Sequence, residues 1–332
     1  MPVISTPEFV PPRFFKNRHL QTIYPAFFRD SRGVDWQRQR LQTPDNDFLD
    51  IDFASIGSDS VALLLHGLEG SSDSGYLKGM AHAFNQRGWD AVALNFRGCS
   101  GEPNRQWRSY HSGETSDPVF VLNYLLQQYP YQQAVVCGFS LGGNVTLKML
   151  GEYARQLDPR IKAGAGISVP CDLGGAAITI GGVYSRRFLG TLLPKLKLKA
   201  EQHNRPFSPN VLRGIKTIKD FDNVYTSVAH GFTNADHYYN TCSSKNFIKD
   251  IQLPVLLVNA LDDPFFSEGC YPFQQAEKSK SFYFLPTRFG GHVGFTHLNR
   301  SGEYWSEKVV TDFISQHTNK PVLDRKNPAT PM

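Results

Sequence analysis

The residue of this sequence best placed to do chemistry is Ser140, set between two glycines in Gly138-Phe139-Ser140-Leu141-Gly142. It falls between an apolar run and a helical pattern. Small residues on either side then permit the sharp turn that lifts a serine hydroxyl above a strand end, with a helix N-terminus beneath it. A hydroxyl is a weak nucleophile, so it needs a base, and the base needs an orienting acid. His292 fits the base: it follows the last strand pattern in Gly290-Gly291-His292, where glycines let the imidazole swing over a sheet edge. For the acid, the segment Asn259-Ala260-Leu261-Asp262-Asp263-Pro264 closes the preceding strand. Counting three residues from the small Ala260 gives Asp263; Asp262 stays open as the alternate, and one of the two caps the turn beside Pro264. The oxyanion of acyl transfer requires two backbone N–H donors. Leu141, directly after the serine, supplies one, and Leu68 in His66-Gly67-Leu68-Glu69-Gly70 is expected to supply the other. That loop lacks the lysine of a phosphate loop, no H-E-x-x-H occurs, and His292 and His297 are not spaced as a helical ligand pair. No metal or organic cofactor is expected.

Positioning these groups requires strands that alternate with helices. Apolar runs at Val61–Leu65, Ala91–Phe96, Ala134–Gly138, Ala163–Val169, Pro254–Val258 and Phe282–Leu285 read as buried parallel strands. Between them lie helical patterns near 75–87, 115–128, 141–153, 268–278 and 302–317. The fold class is therefore α/β, a mostly parallel, doubly wound sheet with helices on both faces. Arg40-Leu41-Gln42 and Leu49-Asp50-Ile51-Asp52-Phe53 around a Pro44-Asp45-Asn46-Asp47 turn predict a hairpin with one wet face. Residues 1–36 read as an irregular arm pinned by its aromatics, 37–170 and 251–317 as the core, 171–250 as an inserted helical cap and 318–332 as a loose polar tail.

Lysine plus arginine exceed aspartate plus glutamate by 35 to 30 in 332 residues, an excess too small to suggest a nucleic-acid binder. The basicity is local: between Arg186 and Lys219 stand nine basic residues and one acid, Glu201. Within that stretch Phe188, Leu189, Leu192, Leu193 and Leu196 form an apolar stripe at helical spacing, with Pro194 suggesting a kink or two short helices. Two readings stand: the stripe packs inward under solvated lysines, or the basic cap makes peripheral contact with an anionic membrane surface. Five separated cysteines without a C-x-x-C argue against a disulfide framework and suggest reduced thiols in the cytoplasm. No run of 18 apolar residues predicts a transmembrane segment.

Taken together, His19-Leu20-Gln21-Thr22, Phe96-Arg97-Gly98-Cys99-Ser100-Gly101-Glu102-Pro103-Asn104, Tyr110-His111-Ser112-Gly113-Glu114-Thr115, Gly138-Phe139-Ser140-Leu141-Gly142-Gly143-Asn144 and Gly290-Gly291-His292-Val293-Gly294-Phe295 resemble the YheT-like branch of the α/β-hydrolases. The resemblance runs from about residue 13 to 313. It implies hydrolysis of carboxylic esters, short- to medium-chain or lipid-like, with Ser140, His292 and one of Asp262 and Asp263 as the triad. An acyltransferase would use the same triad with an alcohol in place of water, and a non-catalytic binding member would keep the fold alone.

Overall fold

The computed structural model describes residues 2–29, 33–297 and 302–319. Eight strands form one sheet in the order β1-β2-β4-β3-β5-β6-β7-β8. They are β1 (Gln37–Gln42), β2 (Phe48–Ala54), β3 (Ser60–Leu65), β4 (Asp90–Asn95), β5 (Gln133–Phe139), β6 (Ile161–Ile167), β7 (Val255–Ala260) and β8 (Phe282–Thr287). From β4 onward across the sheet every pairing is parallel, and only the β1 and β2 edge is antiparallel. In β3, alternation of side chains decides which layer each residue joins. Ala62 and Leu64 pack under α2 (Gly75–Asn85) and the closing helix Trp305–Gln316, through Met80, Phe84, Val310 and Ile314. Leu63 and Leu65 face the other layer, formed by α3 (Ser116–Gln128) and α4 (Leu141–Glu152), through Val121, Leu125 and Val145. Each such leucine, fully buried, contributes about 1.5–3 kcal/mol, so both layers are strongly bound to the sheet.

The hairpin of β1 and β2 departs from the expectation of one wet face, because every residue of β2 is buried. Asp50 and Asp52 fall on the face that alternation would give to water, and arginines from β1 cover them. Arg40 Nε donates to Asp50 Oδ1 and Arg38 Nε to Asp52 Oδ1, each at 2.8 Å. Burial alone would raise both carboxyls, yet these arginine hydrogen bonds hold them below the ordinary carboxylate range.

Residues 1–36 also differ from the irregular arm expected: they carry α1 (Arg18–Phe28), capped by Asn17, whose side chain accepts from the N–H groups of His19 and Leu20. Of the aromatics expected to pin it, Phe9 and Phe15 are buried, whereas Phe14, Phe27 and Phe28 stand exposed. Between β6 and β7 the chain forms α5 (Leu173–Thr179), α6 (Gly182–Gln202) and short helices at Pro209–Gly214, Ile218–Phe221 and Ala235–Cys242. Pro194 does not break α6, which runs through it for 21 residues. The carbonyl that loses its partner belongs to Gly190, which is exposed, and solvent can satisfy it there. The apolar stripe turns inward, with Leu189, Leu192 and Leu196 packed on Ile215, Ile218 and Phe221. The expected loose tail lies outside the described residues except for 318 and 319.

Candidate active site

Ser140 occupies the turn between β5 and α4 at φ 51°, ψ −118°, a strained conformation for a residue with a side chain. The flanking glycines are required by space. A Cβ on Gly142 would stand 2.4 Å from the His66 carbonyl oxygen, and one on Gly138 would stand 2.2 Å from the Gly142 oxygen. The turn is tied to the neighbouring strand end by Ser140 N–H donating to the Ile167 oxygen at 2.9 Å.

His292 Nε2 lies 2.9 Å from Ser140 Oγ, and His292 Nδ1 lies 2.8 Å from Asp263 Oδ2. Asp263 is 3% exposed, and its other oxygen accepts the Phe265 N–H at 2.9 Å. Asp262 is turned elsewhere: its Oδ1 accepts the Gly291 N–H at 2.9 Å. Burial pushes the Asp262 carboxyl above its ordinary range, and the Gly291 amide opposes that shift. The structure thus brings Ser140, His292 and Asp263 into line and sets Asp262 behind the histidine loop. Phe265 and Phe266 flank the imidazole, with ring centroids 4.1 and 5.7 Å away, and shield it from water.

Leu68 and Leu141 both line the cavity beside Ser140. Among the described residues neither of their N–H groups donates to another group. The Leu68 loop is built around His66, whose Nε2 accepts the Phe96 N–H at 3.1 Å while its Nδ1 donates to the Gly67 oxygen at 2.7 Å. That pairing fixes a neutral tautomer, and burial lowers its pKa to about 4. On the far side of Leu68, the Glu69 N–H donates to Tyr110 Oη at 2.8 Å, and Lys195 Nζ reaches Glu69 Oε2 at 2.9 Å.

Several supporting residues were not singled out as site residues from sequence. Thr22 Oγ1 accepts the His292 N–H at 3.0 Å, and Gln21 exchanges two hydrogen bonds with the Thr296 backbone. Ser168 Oγ accepts the Val293 N–H at 2.9 Å. Gly291, at φ 56°, lets the loop press onto α1: a Cβ there would meet the Arg18 oxygen at 2.6 Å. The two ends of the Arg97 to Asn104 string, Arg97 and Asn104, meet in a buried polar hub. Arg97 pairs with Asp117, Asp47 and Asp45, while Lys199 Nζ donates to Asn104 Oδ1 at 2.6 Å. Lys199 is therefore buried, Lys195 is exposed but paired with Glu69, and Lys197 is exposed as well.

Above the serine opens a cavity of about 490 Å³, the size of a small-molecule site. Its walls are mainly apolar, with Leu173, Ala176, Leu192, Leu196 and Phe221 from the segment between β6 and β7.

A strained serine elbow, a strand-end histidine and this sheet order define a class, and comparison with known proteins agrees. The chain belongs to the α/β-hydrolase fold family, whose model matches residues 62–295, and within it to the YheT-like branch. It is 34% identical to YheT of Escherichia coli (strain K12) over 326 residues, spanning 94% of each chain. It is 29% identical to the monoacylglycerol lipase of Saccharomyces cerevisiae, covering 91% of this chain and 67% of that one. The human phospholipase ABHD3 is 27% identical, with 83% and 70% covered. Among solved structures, the Pyrococcus furiosus esterase Pf2001 superposes with a TM-score of 0.59 at 16% identity, covering 93% of this chain and 98% of that one, a likeness of fold.

Proposed function

We propose that the protein hydrolyses carboxylic esters of short- to medium-chain or lipid-like acyl groups through an acyl-enzyme. The observation that carries this reading is the continuous line from Ser140 through His292 to Asp263, ending beneath an apolar cavity. The acyl chain lies in the cavity. Ser140 Oγ attacks the carbonyl carbon while His292 Nε2 takes its proton, and the Leu141 and Leu68 N–H groups bind the oxygen that becomes negative. His292 then protonates the leaving alkoxide; water, deprotonated by the same imidazole, attacks the ester and releases the acid. Asp263 holds Nδ1–H and stabilises the imidazolium. The names of the yeast and human relatives, a lipase and a phospholipase, support an ester substrate. All five cysteines are free and buried, which fits a reducing, cytoplasmic setting; no described helix is long and apolar enough to cross a membrane.

The test is activity profiling with p-nitrophenyl esters of graded chain length and a fluorophosphonate probe. Ser140→Ala should abolish labelling and lower turnover by several powers of ten. Undiminished labelling would end the proposal. Alcohols added as competing acceptors distinguish hydrolysis from acyl transfer, since a transferase yields the new ester in preference to the acid.

A further inference from the structure

The turn Arg13–Lys16 and α1, which follows it, carry an unusual set of exposed side chains. Phe14 is 58% exposed, Phe27 67% and Phe28 69%, with Leu20 and Ile23 exposed between them. The rings form one chain of contacts that passes beneath the surface at the buried Phe15. Phe14 touches Phe15 at 4.7 Å, Phe15 touches Tyr24 at 4.9 Å, Tyr24 touches Phe28 at 5.0 Å, and Phe28 reaches Phe27 at 6.5 Å. Monomer surfaces seldom leave such apolar area uncovered. The segment is basic: Arg13, Lys16 and Arg18 are exposed on it, Lys16 Nζ resting 5.5 Å from the Phe289 ring, and residues 9–28 contain no acid. At the N-terminal end of α1, His19 Nδ1 lies 3.0 Å from Tyr184 Oη, which brings the start of α6 alongside, with exposed Val183, Arg186 and Arg187.

We propose that this patch docks on an anionic lipid surface. Aromatic side chains enter the interface between headgroups and acyl chains while the surrounding arginines and lysine meet lipid phosphates, the arrangement by which amphipathic helices lie in a membrane plane. Charge selects this occupant. A second copy of the chain would set the same basic residues against themselves, whereas an anionic bilayer complements them. The contact lies on α1 rather than on the basic stretch of α6, because the apolar stripe of α6 is packed inward. Through Thr22 and Gln21 the same helix holds the loop of His292, so one helix links the docked patch to the candidate site.

The experiment uses the Ser140→Ala protein, which leaves vesicle lipids intact and makes binding independent of the proposed hydrolysis. Co-sedimentation with vesicles of phosphatidylglycerol and phosphatidylcholine in equal parts, in low salt, should show binding that weakens in 0.5 M salt and on pure phosphatidylcholine. Adding Phe14→Ser and Phe27→Ser should weaken it by at least about tenfold, since full burial of one such ring corresponds to roughly that factor. In the otherwise native enzyme the same two changes should leave turnover of a soluble butyrate ester unaltered. A separate Phe27→Trp variant reads insertion directly, through a blue shift and quenching of its indole fluorescence by brominated lipid. Absence of binding by the parent, binding unchanged in the double variant, or fluorescence of the Phe27→Trp variant that brominated lipid leaves unquenched overturns the proposal. So does a dimer that the double variant dissociates without any vesicle binding, which would make the patch an interface between copies.

Discussion

Replacing Asp263 with asparagine should nearly silence the enzyme, and the structure explains why the amide cannot compensate. Asp263 uses both oxygens, one for the Phe265 N–H at 2.9 Å and one for His292 Nδ1 at 2.8 Å. Asparagine has a single oxygen. If Phe265 keeps it, the NH2 group faces Nδ1 and selects the tautomer with its proton on Nε2, where it cannot accept the Ser140 proton. Turning the amide over sets NH2 against the buried Phe265 N–H, at about 1–3 kcal/mol for an unsatisfied donor. Either orientation also removes the attraction between carboxylate and imidazolium in the transition state, about 4 kcal/mol for unit charges ~4 Å apart at an effective dielectric constant of ~20. With the amide turned over these give about 5–7 kcal/mol, a fall of about four to five powers of ten in kcat. Asp262→Asn keeps an oxygen for the Gly291 N–H and removes a carboxylate that burial disfavours, so kcat should stay within about threefold. Because the folded Asp262 carboxyl titrates above its unfolded value, its contribution to stability is present below about pH 3.9 and lost as pH rises through the raised value. The asparagine variant should accordingly be at least as stable as the parent at pH 7. Steady-state kinetics on p-nitrophenyl butyrate with thermal melts of both variants decide the matter. An Asp263→Asn enzyme within tenfold of the parent, or a collapse of kcat in Asp262→Asn, refutes the reasoning.

Thr22→Val leaves the His292 N–H unpaired and should lower kcat by about tenfold with KM little changed; Thr22→Ser should restore it, an outcome that a purely steric role for Thr22 would not give. Burial lowers the pKa of His66 and His230 to about 4 and holds His111 well below the ordinary histidine value. Unfolded histidines take up protons near pH 6.5, so the stability these groups lend is present above that pH and lost as pH falls toward 4. Melting temperature should fall over that window, and His230→Asn should flatten the fall; an unchanged slope would show that His230 does not contribute.

The elbow and the sheet could be read from sequence because each rests on local spacing. Glycines two residues either side of Ser140 fix a turn by sterics, and apolar runs of four to seven residues mark strands whatever lies beyond them. Counting from Ala260 favoured Asp263 but left Asp262 open, since adjacent residues on a turn differ by a rotation that only the packing of Phe265 and Gly291 decides. Thr22, Gln21 and Ser168 gave no signal of their role. Each acts through one side-chain hydrogen bond or pair of bonds to a loop distant in sequence, and neither periodicity nor composition encodes such a contact. The helical form of 18–28 was hidden by Pro25 and by apolar residues on a face that the core does not cover.

The bond from His292 to Thr22 spans 270 residues of sequence. During synthesis Ser140, its elbow and the Leu68 loop are made before the histidine, and α1, although it can pack on α2, waits longer still for the loop that it braces. A polypeptide that has not reached residue 292 therefore holds Ser140 without its candidate base, and the pair forms only when segments 152 residues apart in sequence meet. A cut after residue 28 would free the histidine loop from Thr22 and Gln21, and it would also take Ile4 from the edge of β8 and Phe9 from the core.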